Sequence, residues 1–353
     1  MSNQPPEYDP TALSAAAADP STGGAPPGAG RGGPAADDGS LAAMHALRGE
    51  VAKVVVGQEG TVSGLITALL VRGHVLLEGV PGVAKTLVVK ALAHALDLDF
   101  SRVQFTPDLM PSDVTGQLVL APDSAGGFRF REGPVFTNLF LADEINRTPP
   151  KTQAALLESM EERQVTAEGR SLALPDPFVV VATQNPVEQE GTYPLPEAQL
   201  DRFLFKLLVG YPSHDQEVDI LERHDRGLDP HDIAAAGVSP VAGVADLAAA
   251  RRNVESVTVE RPVLDYMVAI CRATRESPST ELGVSPRGAS ALLHAAKAWA
   301  WLSGRWYVSP DEVKAVAKPA LRHRLLVRPE MELDGVTADG LLDSVLATVP
   351  APR

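Results

Sequence analysis

A single cysteine, Cys271, stands in 353 residues, so no disulfide can close within the chain. The eight histidines never fall at metal-ligand spacing with a second soft ligand, and a structural metal is not expected. No stretch approaches the roughly 18 consecutive apolar residues of a membrane span, and the first residues lack a basic segment running into an apolar one. The expectation is a cytoplasmic protein without membrane insertion. Dense blocks of lysine and arginine are also missing, and the formal net charge is -14. That field repels polyphosphate backbones, so a nucleic-acid partner would need a local basic groove. The basic stretches Arg251-Arg252 and Arg322-His323-Arg324 read as solvated helix faces, and no nucleic acid is expected.

What is present is an ordinary apolar fraction, 44%, enough for a sizeable core and about two domains. Residues 1–40 are rich in Ala, Pro, Gly, Ser and Asp and read as a disordered tail, because such a composition buries too little surface to offset ordering entropy. From Leu41 a helical stripe of Leu47, Val51, Val54 and Val55 begins, followed by a second helix over residues 61–71. An apolar strand run over 74–78 leads into a glycine loop and a helix over 85–96. Further strand runs at 138–142, 178–183 and 203–209 alternate with helices, the pattern of an α/β parallel sheet. Two hairpins interrupt it, 117–120 with 128–131 and 164–167 with 170–174. An α/β core over 41–212 and a helical domain over 213–353, with helices near 263–276, 287–303 and 310–322, complete the expected organisation.

Gly79-Val80-Pro81-Gly82-Val83-Ala84-Lys85-Thr86 follows a strand and opens a helix, the context of a phosphate-binding loop. Glycines let backbone amides turn inward toward an anion, and the helix N-terminus adds partial positive charge. Lys85 in the first helical turn is disfavoured by the macrodipole unless an anion neutralises both. Ala84 departs from the general pattern, which has glycine before the lysine; as a position entering the helix it tolerates a methyl group. Downstream, Leu139 to Ala142 carry Asp143 and Glu144 to the end of a buried strand, where open α/β sheets bind ligands. There Asp143 would hold Mg²⁺ together with the Thr86 hydroxyl, and Glu144 would activate an attacking water.

These segments, with Val56-Gly57-Gln58, Gln104 to Asp113 (QFTPDLMPSD), Ala142 to Arg147 (ADEINR), Ala182 to Pro186 (ATQNP), Glu190 to Phe203 (EGTYPLPEAQLDRF) and Ser285-Pro286-Arg287, resemble the MoxR branch of AAA+ ATPases over most of residues 54–326. The resemblance implies a P-loop core with a helical lid that binds ATP and Mg²⁺ and hydrolyses the β-γ phosphoanhydride. It implies that Val56 and Gly57 line the adenine pocket, that Asn185 positions the lytic water, that Arg202 is an arginine finger reaching a neighbouring subunit, and that Arg287 is the lid's contact with nucleotide. Pro286 at the first helical position puts Arg287, like Lys85, where a cation lacks support without an anion. Arg147 reads either as a subunit contact or as a solvated arginine, and the two hairpins would face a pore or substrate. The expected assembly is a homo-oligomeric, hexameric ring acting as a chaperone-like motor on a protein partner, one containing a von Willebrand factor A domain. A nucleotide-gated scaffold with little turnover, a metal-chelatase-type motor and a DNA-directed motor are the alternatives.

Overall fold

The computed structural model describes residues 39–120, 128–167, 169–186, 191–230 and 232–352. Residues 1–38 of the expected N-terminal tail, the turn of the first hairpin, Glu168 and Glu190 lie outside the described residues, whereas Ser40, expected to end that tail, is buried and opens a helix. Helices α1 (Ser40–Ala52) and α2 (Glu59–Leu70) precede β1 (His74–Glu78), and α3 (Lys85–Ala95) leads to β2 (Phe100–Gln104). After α4 (Pro111–Thr115), strands β3 (Gly116–Leu120) and β4 (Phe128–Glu132) pair antiparallel. Then come β5 (Leu139–Asp143), α5 (Pro150–Glu162), the hairpin of β6 (Gln164–Ala167) and β7 (Arg170–Ala173), β8 (Val179–Gln184), α6 (Glu197–Leu200), β9 (Phe203–Leu208) and α7 (His214–Asp225).

One five-stranded sheet in the order β2-β5-β8-β1-β9, parallel at every pairing, forms the centre of an α/β AAA core. Successive side chains of a strand point to opposite faces, and the two cores follow that period. Val75 and Leu77 join α1 to α3 and the lid, whereas Leu76, Phe140 and Val180 meet α5 on the other face. Every residue of β5 is buried, which is why such strands appear as unbroken apolar runs. Strand β2 went unread in the sequence because it is an edge strand, Phe-Ser-Arg-Val-Gln, with no fully buried residue.

The C-terminal part is a helical lid: α8 (Val244–Ser256), α9 (Arg261–Glu276), β10 (Thr280–Leu282), α10 (Pro286–Leu302), α11 (Pro310–Leu321), β11 (Leu326–Val327), α12 (Pro329–Leu333) and α13 (Ala338–Thr348). Strands do not stop altogether beyond Pro212, since β10 and β11 form a small antiparallel pair inside the lid. Among the described residues no helix is long and apolar enough to cross a membrane.

Two of the basic stretches correct the sequence reading. Arg251 is buried; its guanidinium donates to the Leu69 carbonyl at 3.0 and 2.8 Å and to Asp176 at 3.0 Å, tying the lid to the C-terminal turn of α2. Arg324 is buried too and grips Asp201, at 2.6 Å, and the Phe203 carbonyl, at 2.7 Å. Only Arg252 is exposed as expected. A buried acceptor stripped of its donor costs its desolvation, so Arg251→Met should lower stability by about 1 to 3 kcal/mol. Arg252→Met should change it by less than about 0.5 kcal/mol. Urea unfolding of the two variants measures this, and equal midpoints would contradict the tie.

Candidate active site

The glycine loop joins β1 to α3, and its backbone explains its composition. Gly79 donates its N–H to the Gln184 carbonyl at 3.2 Å, and a Cβ there would come within 2.3 Å of the Val209 carbonyl oxygen. Gly82 has open space around it but φ of 86°, a left-handed conformation that glycine adopts freely. Ala84 is a correction: it sits one step outside the helix, as its N-cap, at φ 60° and ψ 18°. Glycine is ordinary there, and alanine carries a left-handed penalty of about 1 kcal/mol or more. The Lys85 ammonium turns back over the loop, 2.5 Å from the Gly79 carbonyl oxygen and 2.9 Å from that of Val80. Thr86 follows it, half-buried.

Val56 and Gly57 lie in the turn between α1 and α2. Gln58 donates to the Gly210 carbonyl at 3.4 Å, and Gly57, at φ 74°, lies under Gln216 of α7, where a Cβ would meet Oε1 at 2.5 Å. Since Gly79 touches Val209 and Gln58 touches Gly210, this turn is brought beside the phosphate loop.

Asp143 and Glu144 end β5 two strands away. Thr183 of β8 donates its hydroxyl to Asp143 Oδ1 at 2.5 Å and accepts the Glu144 N–H at 2.9 Å. From β2, Arg102 donates to Asp143 Oδ2 at 2.6 Å, and Gln104 donates to Glu144 Oε2 at 2.7 Å. The edge strand thus holds both acids through residues two apart, which share one face of a strand. Glu144 also pairs with Arg147 at 3.0 Å. Asn185, buried just past β8, completes this edge, because β1, β5 and β8 are adjacent and parallel. Oxygen donors suit a hard cation, and two carboxylate oxygens offer about four lone-pair sites. Asp143 therefore retains acceptor capacity beside its protein donors, which fits the Mg²⁺ expected there.

Arg202 and Arg287 lie elsewhere. Arg202 immediately precedes β9, whose Phe203 pairs with His74, the first residue of β1. The four steps of β1 from His74 to Glu78, at about 3.3 Å each, put roughly 13 Å of strand between that end and the glycine loop. Both arginines instead meet Glu161 at the end of α5, Arg202 at 2.7 Å and Arg287 at 3.3 Å. The anion that Arg287 needs at its helix start is that carboxylate. With Arg72, Arg163 and Arg324 they line a cleft of about 420 Å³, a basic groove assembled from residues far apart in sequence. Asp201, beside Arg202, accepts from Arg324 and, at 3.1 Å, from the Ser285 hydroxyl at the start of α10.

Arg72, Ala84, Glu144 and Arg163 are four of the five left-handed residues other than glycine among those described, the fifth being Asp97. Such backbone costs of order 1 kcal/mol each and clusters where function holds it. It falls here at both sheet edges. Sequence reasoning gave no role to Arg102 or Glu161. A signal for the latter was available: Glu161 and Glu162 close a helix, where the macrodipole disfavours acids.

Comparison with known proteins adds to this geometry. The ATPase family associated with various cellular activities (AAA) matches residues 74–205, and the AAA lid domain matches residues 272–345. Uncharacterized protein YeaC of Bacillus subtilis (strain 168) is 47% identical over 313 residues, 88% of this chain and 96% of that protein. Chaperone MoxR1 of Mycobacterium tuberculosis is 41% identical over 332 residues, covering 91% and 86% of the two chains. A crystal structure from Cytophaga hutchinsonii is similar with a TM-score of 0.81 at 39% identity, over 89% of this chain and 96% of that one.

Replacing Lys85 with alanine removes the loop's mobile cation, which meets β and γ phosphates in loops of this kind. Titration with a fluorescent nucleoside triphosphate should show loss of binding in a folded variant. Unchanged affinity would remove the loop from the site.

Proposed function

This chain belongs to the MoxR family of AAA ATPases, and from that premise we propose that it hydrolyses MgATP in sites shared between neighbours of a homo-oligomeric, hexameric ring. The turnover would drive remodelling or maturation of a protein partner, one carrying a von Willebrand factor A domain. The similarity to a relative named as a chaperone supports the second half of that reading.

One observation carries the first half: the parallel sheet separates the phosphate loop and acids at one edge from Arg202 and Arg287 at the other. A subunit that presents an anion site at one edge and an arginine cleft at the other is suited to head-to-tail association, and head-to-tail contacts close into rings. In this reading the amides of Gly79 to Thr86 and the Lys85 ammonium hold the phosphates, while Val56 and Gly57 bound the adenine. Thr86 and Asp143 hold Mg²⁺, which when bound neutralises charge on the phosphate oxygens. Glu144 takes the proton of the attacking water, oriented by Asn185. Arg202 and Arg287 come from the next subunit and stabilise charge that develops on the transferred phosphoryl group. A cleft of about 420 Å³ is of small-molecule size, which suits one phosphate group of a neighbour's nucleotide rather than a nucleic-acid duplex.

Glu144→Gln and Arg202→Ala should each be inactive alone while still binding nucleotide. Mixed under exchanging conditions, they build complete sites in roughly a quarter of head-to-tail interfaces, since each of the two choices is about one half. ATPase activity should therefore return on mixing. Rings shown by mass to be mixed, yet as inactive as their parents, would contradict sharing of the site.

A further inference from the structure

Glu161 is placed against its own helix. It lies in the last turn of α5, where the macrodipole presents negative charge and an acid is disfavoured. Arg287 has the mirror problem in the first turn of α10. The two meet at 3.3 Å, and the other Glu161 oxygen reaches Arg202 at 2.7 Å. One carboxylate thus bridges two guanidiniums from separate elements, which would otherwise repel each other.

The surroundings fix that bridge. The Met160 carbonyl, one residue before Glu161, lies 3.1 Å from His74 Nε2, while His74 Nδ1 accepts the Val180 N–H at 2.9 Å. Those two bonds define a neutral imidazole with its proton on Nε2, and burial pushes its pKa down to about 4. The end of α5 is thereby pinned to the sheet. On the other side, Asp201 accepts from Ser285 at the start of α10 and from buried Arg324. The segment bearing Arg202 and the helix bearing Arg287 are joined below the cleft by Asp201 and across it by Glu161. Each guanidinium has five N–H donors, and a single bridging carboxylate leaves most of them for a second anion.

We propose that Glu161 is a positioning residue that presets Arg202 and Arg287 as one two-armed clamp for the phosphate of a neighbouring subunit's nucleotide. The proposal rests on the reading that both arginines serve the next subunit. A clamp ordered in advance has little left to rearrange when charge develops in the transition state. Misplacement by about 1 Å is enough to lower rates on the order of 100-fold.

Glu161→Gln keeps the shape and removes the charge. Its turnover should fall roughly 10- to 100-fold, with the KM for ATP within about twofold of wild type, because the loop and acids that bind the nucleotide are untouched. Mixing assigns the defect to one side of the interface. With Glu144→Gln subunits activity should recover, since Glu161→Gln can hold the nucleotide while its partner supplies an intact clamp; with Arg202→Ala subunits nothing should recover, because both variants are defective on the clamp side. Recovery in the first mixture also shows that the variant is folded and assembles. Turnover of Glu161→Gln alone within about twofold of wild type, recovery with Arg202→Ala, or no recovery with Glu144→Gln would each overturn the proposal. The control mixture of Arg202→Ala with Glu144→Gln separates the two claims: if that control fails, the shared-site reading falls, and if it succeeds, any failure belongs to Glu161.

Discussion

Five parallel strands send every C-terminal end to one edge of the sheet and every N-terminal end to the other. The remaining features of the site follow from that constraint. Loops that leave strand ends on the first edge carry Gly79 to Thr86, Asp143, Glu144 and Asn185; the approach to β9 on the second edge carries Arg202. Because β9 pairs with β1 from His74 to Glu78, the two edges are separated by the full length of the strand that leads into the phosphate loop. No rotamer change undoes such a separation, and the proposal that two subunits share the chemistry rests on it.

The same logic extends to charge. Lys85 and Arg287 are cations at helix starts and Glu161 is an anion at a helix end, each opposed to its own macrodipole. In a chain of formal charge -14, the cleft gathers Arg72, Arg163, Arg202, Arg287 and Arg324 against Glu161 and Asp201. Charges that a helix surface would ordinarily avoid are concentrated at the two edges where a shared phosphate would lie. The lid enters this arrangement through Asp201. A movement of α10 carries Arg287 directly and bears on the Arg202 segment through Ser285 and Arg324.

Much of this was legible in the sequence, and the exceptions have physical reasons. Strands β1, β5, β8 and β9 announce themselves because burial on both faces demands continuous apolar runs. Edge strand β2 does not, and with it were hidden Arg102 and the contact of Gln104 with Glu144. The glycine loop is recognisable from its spacing, yet only the backbone reveals that Ala84 is left-handed. Arg322-His323-Arg324 has the composition of a solvated face, but Arg324 is buried by Asp201, which lies 123 positions earlier. Long-range pairing of that kind leaves no local pattern. The partner of Arg202 is another instance: Asp201 and Glu197 are its nearest acids in sequence, whereas Glu161 on another helix is its partner in space.

The central claim is that a subunit binds nucleotide alone but completes its site only with a neighbour. The most direct measurement is ATP turnover per subunit as a function of protein concentration, with oligomeric state followed by sedimentation and nucleotide affinity determined at each concentration. The account predicts nearly constant affinity and turnover that rises steeply as assemblies form. Equal turnover per subunit across the transition, with full activity in the monomer, would contradict it.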